Sequence, residues 1–165
     1  SRRQRQMCIR DRGKDEVVFL ISTNPGEPVK PLAAIASGGE LSRIMLALKT
    51  ITAKQEKIGT FIFDEIDAGI SGKTAWKVSE KLGILGRTHQ IICITHLPQI
   101  AAMADHHFYI EKNATDHSTA TTITELSEAD SLKELARLSG AAQLTESVLA
   151  NAKEMKDLAE KKKQN

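Results

Sequence analysis

Runs of β-branched and aromatic residues alternate along this chain with stretches whose apolar positions recur every three or four residues, a succession that predicts strands between helices. Residues 17–23 predict a strand, stopped by the turn signal Asn24-Pro25-Gly26. Leu41, Ile44, Met45, Leu48 and Ile51 then recur at helical spacing, which predicts a helix with one apolar face packed on a sheet and Ser37 at its N-cap. Residues 60–64 form a short apolar run bounded by turn chemistry, the pattern of a central strand buried on both faces. Ala75, Val78, Leu82 and Leu85 mark a second helix, and residues 90–95 a second buried strand. Strand, helix and strand in that order predict a parallel pair joined by a right-handed crossover. The strand ends at Asp64 and His96 then share one sheet edge, where α/β proteins usually bind ligands.

Beyond that edge the pattern changes. Residues 97–104 read as a short helix, and residues 107–111 and 121–126 as strands of a hairpin. Ser127-x-x-Asp130 resembles a capping box for a helix ending near Gly140. A last helix from about Thr145 carries Val148, Leu149, Ala152, Met155 and Ala159 on one face, and its end is expected to fray into a solvated tail at Lys161-Lys162-Lys163.

With 165 residues and 41% apolar content, the chain has room for one domain with its own core. No apolar run reaches the roughly 18–20 residues that cross a bilayer, and the start lacks the apolar block of a secretory signal, so an intracellular, soluble protein is expected. Residues 1–12 are basic, unpatterned and similar to translated sequencing-adapter read-through, which reads them as non-native. Removing their five arginines and one aspartate lowers Lys+Arg from 23 to 18 and Asp+Glu from 21 to 20, and takes the formal charge from +2 to −2. Overall charge therefore gives no argument for nucleic-acid binding. Cys8 and Cys93 lie far apart, and Cys93 sits in an apolar run, which predicts a small buried thiol rather than a disulfide scaffold. The histidines lack the spacing of a zinc site.

Three short segments carry candidate chemistry. Ser37-Gly38-Gly39-Glu40 opens a helix, where bare amides, a hydroxyl and the helix dipole attract phosphate. Asp64-Glu65 ends a strand, where the first carboxylate suits magnesium and the second suits an attacking water; taken alone, the pair also fits a turn with solvated carboxylates. Asp67 is a third acid whose position suits shaping the turn. Thr95-His96 ends the next strand, placing an imidazole within reach of a terminal phosphate or the attacking water. Gly69-Ile70-Ser71-Gly72-Lys73-Thr74 ends like a phosphate loop, but the full pattern needs glycine where Asp67 stands.

Residues 36–43 (Ala-Ser-Gly-Gly-Glu-Leu-Ser-Arg), 61–72 (Phe-Ile-Phe-Asp-Glu-Ile-Asp-Ala-Gly-Ile-Ser-Gly) and 95–101 (Thr-His-Leu-Pro-Gln-Ile-Ala) closely resemble the RecN family of bacterial DNA repair proteins. Residues 19–26 look like that family too, and the resemblance covers roughly residues 13–160. It implies an α/β fold: the C-terminal lobe of a three-layer P-loop NTPase-like head of ABC/SMC type, with a largely parallel sheet and incomplete without its N-terminal lobe. It further implies that Ser37, Gly38, Gly39 and Glu40 are the nucleotide-binding signature, Asp64 the Walker B magnesium residue and Glu65 the catalytic base. Residues 67–71 become the D-loop, with Asp67 and Ser71 as nucleotide contacts, and His96 the switch. Ser71 departs from the aspartate that many ABC ATPases carry there.

The implied cofactors are ATP and Mg2+. The implied partners are a second head in a homodimer and, through a coiled coil, DNA, in double-strand break repair in the bacterial cytoplasm at the nucleoid. Because the Walker A loop is absent from these residues, the chain alone is expected to be inactive as an ATPase. Two other readings compete: a non-catalytic ABC-like interaction module, and a small phosphotransferase built on Gly72-Lys73-Thr74.

Overall fold

The computed structural model describes residues 17–22, 26, 28–35, 37–55, 57–115 and 118–164. They fall in two compact units, Ser1–Ser37 and Gly38–Asn165. Residues 1–12, and Asn24-Pro25 of the expected turn, lie outside the described residues. In the first unit β1 (Leu20–Ile21) pairs antiparallel with β2 (Lys30–Pro31), which runs into the short helix α1 (Leu32–Ile35). Among the described residues of the strand expected over 17–23, these two make the ladder, extended by a bond from the Leu32 N–H to the Phe19 carbonyl at 2.8 Å.

The second unit begins with α2 (Gly38–Thr52), which tightens into a 3-10 turn at Ala53–Gln55. Then come β3 (Thr60–Phe63), α3 (Gly72–Gly86) and β4 (Gln90–Cys93). As the succession predicts, β3 and β4 are parallel, in register from Thr60 opposite Gln90 to Phe63 opposite Cys93. A short helix α4 (Pro98–Ala101) leads to the antiparallel hairpin β5 (Phe108–Thr115) and β6 (Ser118–Glu125). Helices α5 (Glu128–Leu138) and α6 (Glu146–Gln164) pack on each other and close the unit. Ser127 caps α5 as its spacing predicts: its hydroxyl accepts the Asp130 N–H at 3.2 Å and donates to the Asp130 carboxylate at 2.7 Å.

Two cores hold this unit. One gathers Leu46, Phe61, Phe63, Ile66, Val78, Leu82, Leu85 and Ile100 beneath the parallel pair. The other gathers Ala101 to Met103, Leu135, Ala136, Ala152 and Ala159, with Trp76, Leu149 and Met155 packed against it. Helix α3 contributes to both, Trp76 to one and Val78, Leu82 and Leu85 to the other, which explains why its apolar positions are the most fully realised of the sequence pattern.

Four expectations need correction. The sheet is not largely parallel: among the described residues there are three two-stranded sheets, and only β3–β4 is parallel. The reason lies in the connections, since only β3 and β4 are joined by a helical crossover, whereas a two-residue link between β5 and β6 permits only antiparallel return. Nor is β3 buried on both faces. Phe61 and Phe63 point into the core, while Ile62 is 69% exposed and Ile92 of β4 is exposed beside it, because the described helices cover one face of the pair.

Helix α2 buries a different stripe from the one predicted. Leu41, Met45, Leu48 and Ile51 are exposed, while Gly39 and Leu46 of the helix, and Ala53 in the turn that follows it, are buried at spacings of seven. Finally, the lysine run is no frayed tail: α6 stays helical to Gln164. Lys162 pairs with Glu80 and lies 5.9 Å above the Trp76 ring, and Lys163 bonds Asp105 at 2.6 Å and Glu160 at 2.9 Å. One turn beyond buried Ala159, their stems cover apolar surface while the ammonium groups reach carboxylates.

Among the described residues no helix is long and apolar enough to cross a membrane. The second core sets a stability test. Leu135 is fully buried, so Leu135→Ala should lower the unfolding free energy by about 2–5 kcal/mol. Ile123, 65% exposed on the hairpin, should tolerate alanine within about 0.5 kcal/mol. Urea denaturation of the two variants checks both values.

Candidate functional site

The site is built on the ends of β3 and β4. Alternation drives Phe61 and Phe63 into the core, and the ladder runs one bond past the strands, from the Ile94 N–H to the Phe63 carbonyl at 3.0 Å. Asp64 therefore leaves the sheet beside the segment that leads to Thr95 and His96. There the chain turns sharply. The Asp64 Oδ1 accepts the Glu65 N–H at 2.8 Å, and Glu65 takes φ +55°, a left-handed conformation unusual for a side chain of its size. Ile66 follows as a fully buried plug, so the reversal sends Ile66 inward and leaves the Glu65 side chain exposed. Bonds from Ala68 N–H to the Glu65 carbonyl at 3.0 Å and from Ile70 N–H to the Asp67 carbonyl at 3.3 Å complete the loop.

The start of α2 lies directly against this loop. A Cβ at Gly39 would stand 2.8 Å from both the Ala68 Cβ and the Glu65 carbonyl oxygen, and one at Gly38 would run into the Glu65 carboxylate. Gly39 is needed here for close approach, since its neighbours are backbone and the Ala68 Cβ, whereas at Gly38 the neighbour is the far end of the exposed Glu65 side chain. Two side chains on the same helix then tie the loop down. Ser42 donates to the Asp64 carbonyl at 2.8 Å, and Arg43 donates through Nη1 to the carbonyls of Ile66 at 3.1 Å and Ala68 at 2.8 Å. Glu40, in the first turn of α2, is half-buried. Ser37 is exposed and closes the first unit.

Asp67 links the loop to the end of β4. Only 4% exposed, its carboxylate oxygen Oδ2 receives the Thr95 hydroxyl at 2.6 Å, the His96 N–H at 2.7 Å and His96 Nδ1 at 2.9 Å. Thr95 Oγ1 in turn accepts the Leu97 N–H at 3.1 Å. The His96 ring, unlike its anchor, is largely exposed. The half-buried Cys93 registers the character of this edge: burial, and then the negative fields of Asp67 and Asp64, push its thiol up to about 12. Ser71 is exposed at the N-cap of α3, where its side chain makes no capping bond.

Gly38, Gly39, Asp64, Glu65, Asp67 and His96 are thus joined through one network of contacts, with Asp64 and Glu65 exposed and Asp67 turned inward. Among the described residues no cluster of three or more His, Cys, Asp or Glu side chains is arranged to hold a metal, and neither Asp64 nor Glu65 pairs with a basic side chain. Sequence reasoning missed Ser42 and Arg43 as loop clamps and Thr95 as a brace. The available signal was their spacing: residues 42 and 43 lie three and four positions after Gly39, on the helix side that must face whatever approaches the glycine.

The DNA repair protein RecN of Halalkalibacterium halodurans is 48% identical over 151 residues, taking in 92% of this chain and 27% of that protein. The chain belongs to the RecN family and matches a C-terminal portion of it. The RecN of Haemophilus influenzae is 51% identical over 88% of this chain and 26% of its own length, so the chain spans about a quarter of the length of these relatives. No protein-family model matches the chain. A solved structure from work on the structural biochemistry of ATP-driven dimerization and DNA stimulated activation of SMC ATPases aligns with a TM-score of 0.48 and 23% identity over 75% of this chain and 81% of that one.

In this RecN portion the contact of Gly39 with the 65–68 loop can be tested through stability. Alanine is favoured over glycine in helices by about 1 kcal/mol, yet the added Cβ meets backbone. Gly39→Ala should therefore destabilise by about 1–3 kcal/mol in urea denaturation. Gly59→Ala, with nothing within 4 Å of the added carbon, should stay within about 0.5 kcal/mol.

Proposed function

We propose that this chain is the C-terminal lobe of a RecN-like ATPase head, which binds and hydrolyses ATP with Mg2+ between two heads of a homodimer and serves DNA double-strand break repair in the bacterial cytoplasm. The observation that carries this reading is the glycine-opened helix α2 held against a loop whose two outward carboxylates, Asp64 and Glu65, have no basic partner among the described residues. Kinship with proteins named DNA repair protein RecN supports the repair role. Residues 13–165 form the lobe in this reading, and residues 1–12 are foreign to it. The exposed Ile62, Ile92 and Ile94 on the outer side of the parallel pair support a three-layer head, because such a face needs a further layer of polypeptide to cover it.

The residues fit a magnesium ion. Hard oxygen donors suit it, and it is usually held by one or two carboxylates, with water and substrate phosphate completing the shell. Asp64 would hold it, and when bound it supplies positive charge against the phosphate oxygens. Glu65 takes a proton from the attacking water, its direction fixed by the left-handed turn and the Ile66 plug. His96 offers its exposed ring to the same water or to a terminal phosphate. Ser37, Gly38, Gly39 and Glu40 receive the nucleotide of the other head, with the amides of the helix start as donors. Asp67 and Ser71 belong to the loop that follows the base.

In the full-length protein Glu65→Gln should retain ATP-dependent dimers while turnover falls by about 100-fold or more. Wild-type turnover in that variant would remove Glu65 from the role of base. This chain alone should bind ATP weakly, and tight magnesium-dependent binding by it in calorimetry would overturn the assignment of the missing phosphate contacts to other polypeptide.

A further inference from the structure

The carboxylate of Asp67 is the most enclosed charge of the site, only 4% exposed. Its Oδ2 serves three donors at once, the Thr95 hydroxyl, the His96 backbone N–H and His96 Nδ1. A backbone N–H can only donate, and the Thr95 hydroxyl, which accepts from the Leu97 N–H, is directed with its proton at the same oxygen. With Oδ2 serving as the acceptor for both, the proton shared with the imidazole is placed on Nδ1. We propose that Asp67 is a positioning residue that fixes His96 in the Nδ1–H tautomer and leaves Nε2 bare.

The partner of one ring nitrogen dictates the state of the other. Neutral histidine in water favours the opposite, Nε2–H form, so the loop reverses an intrinsic preference. The chemical consequence rests on the ATPase reading above. A neutral His96 held this way accepts a hydrogen bond at Nε2 and orients a water; it can donate to a phosphate oxygen only after gaining a second proton. Thr95 is the brace of this arrangement, because its hydroxyl ties the carboxylate to the backbone of the turn that carries the ring.

The test uses full-length protein labelled with 15N-histidine, with ring tautomers read from long-range 1H–15N correlations above the titration range of the ring and the His96 signals identified by their loss in His96→Gln. Wild type should show a protonated Nδ1 and a bare Nε2. Asp67→Ala should move His96 towards the Nε2–H form and lower kcat about 10–100-fold with little change in KM for ATP. Asp67→Asn, which keeps an acceptor oxygen, should restore the Nδ1–H tautomer and most of the turnover. Thr95→Val should leave the tautomer in place. An Nε2–H ring in wild type, or an unchanged tautomer in Asp67→Ala, overturns the proposal. Absence of ATP hydrolysis in wild type would sink the ATPase reading alone, since the tautomer is read without nucleotide.

Discussion

Helix α2 can lie against the 64–68 loop only because Gly39 carries no side chain, and the shape of the whole edge follows from that approach. The loop has no ladder to satisfy its carbonyls, and helix side chains take over: Ser42 bonds Asp64, and Arg43 bonds Ile66 and Ala68. The same contact explains how Glu65 holds its left-handed backbone. That conformation costs about 1–2 kcal/mol, and burying the neighbouring Ile66 side chain contributes about 1.5–3 kcal/mol in the other direction. A loop strained at the proposed base is therefore sustained by the residue next to it.

Electrostatics follow from the same geometry. Asp64, Glu65 and Asp67 stand within four positions on one turn, and burial first, then the negative fields of Asp67 and Asp64, push the Cys93 thiol up to about 12. Among the described residues the guanidinium that reaches the loop, Arg43, directs its Nη1 to two carbonyls. A polyphosphate approaching these carboxylates meets repulsion unless positive charge arrives with it. In the ATPase reading proposed above, a divalent cation on the carboxylates and basic groups of other polypeptide supply that charge, so that reading expects an intact acidic loop together with weak nucleotide binding by this chain alone.

Much of this was legible in the sequence where local pattern and tertiary environment agree. The β3–α3–β4 succession, the hairpin and the capped α5 follow from strand runs, a four-residue helical stripe and one serine. The failures share a cause, because periodicity tells which residues lie together but not which way they turn. Leu41, Met45 and Leu48 do form a stripe on α2, but the seating of Gly39 and Arg43 against the loop fixes the rotation of the helix and turns Leu46 inward instead. In α6 the lysines resembled a tail because charge suggested solvent, whereas their long stems lie over Trp76 and reach Glu80 and Asp105. The role of Asp67 was half visible: its place suited shaping a turn, but the partner across 28 and 29 residues, Thr95 and His96, is a product of strand register.

Two kinds of glycine at this edge separate the two segments that resemble phosphate loops. Gly39 is required by space, with the Glu65 carbonyl and the Ala68 Cβ where its side chain would be, and beside it Gly38 leaves room for the Glu65 carboxylate. Gly69 and Gly72 are required by conformation, at φ +73° and +52°, with nothing within 4 Å of an added Cβ. In Gly72-Lys73-Thr74 the glycine therefore turns the chain from the acidic loop into α3, and the motif's likeness to a phosphate cradle follows from the needs of a strand-to-helix turn. Glycines at a helix start that packs on a carboxylate loop serve a different end: they let the start of α2 and the acids come together, the juxtaposition on which the proposed nucleotide site rests.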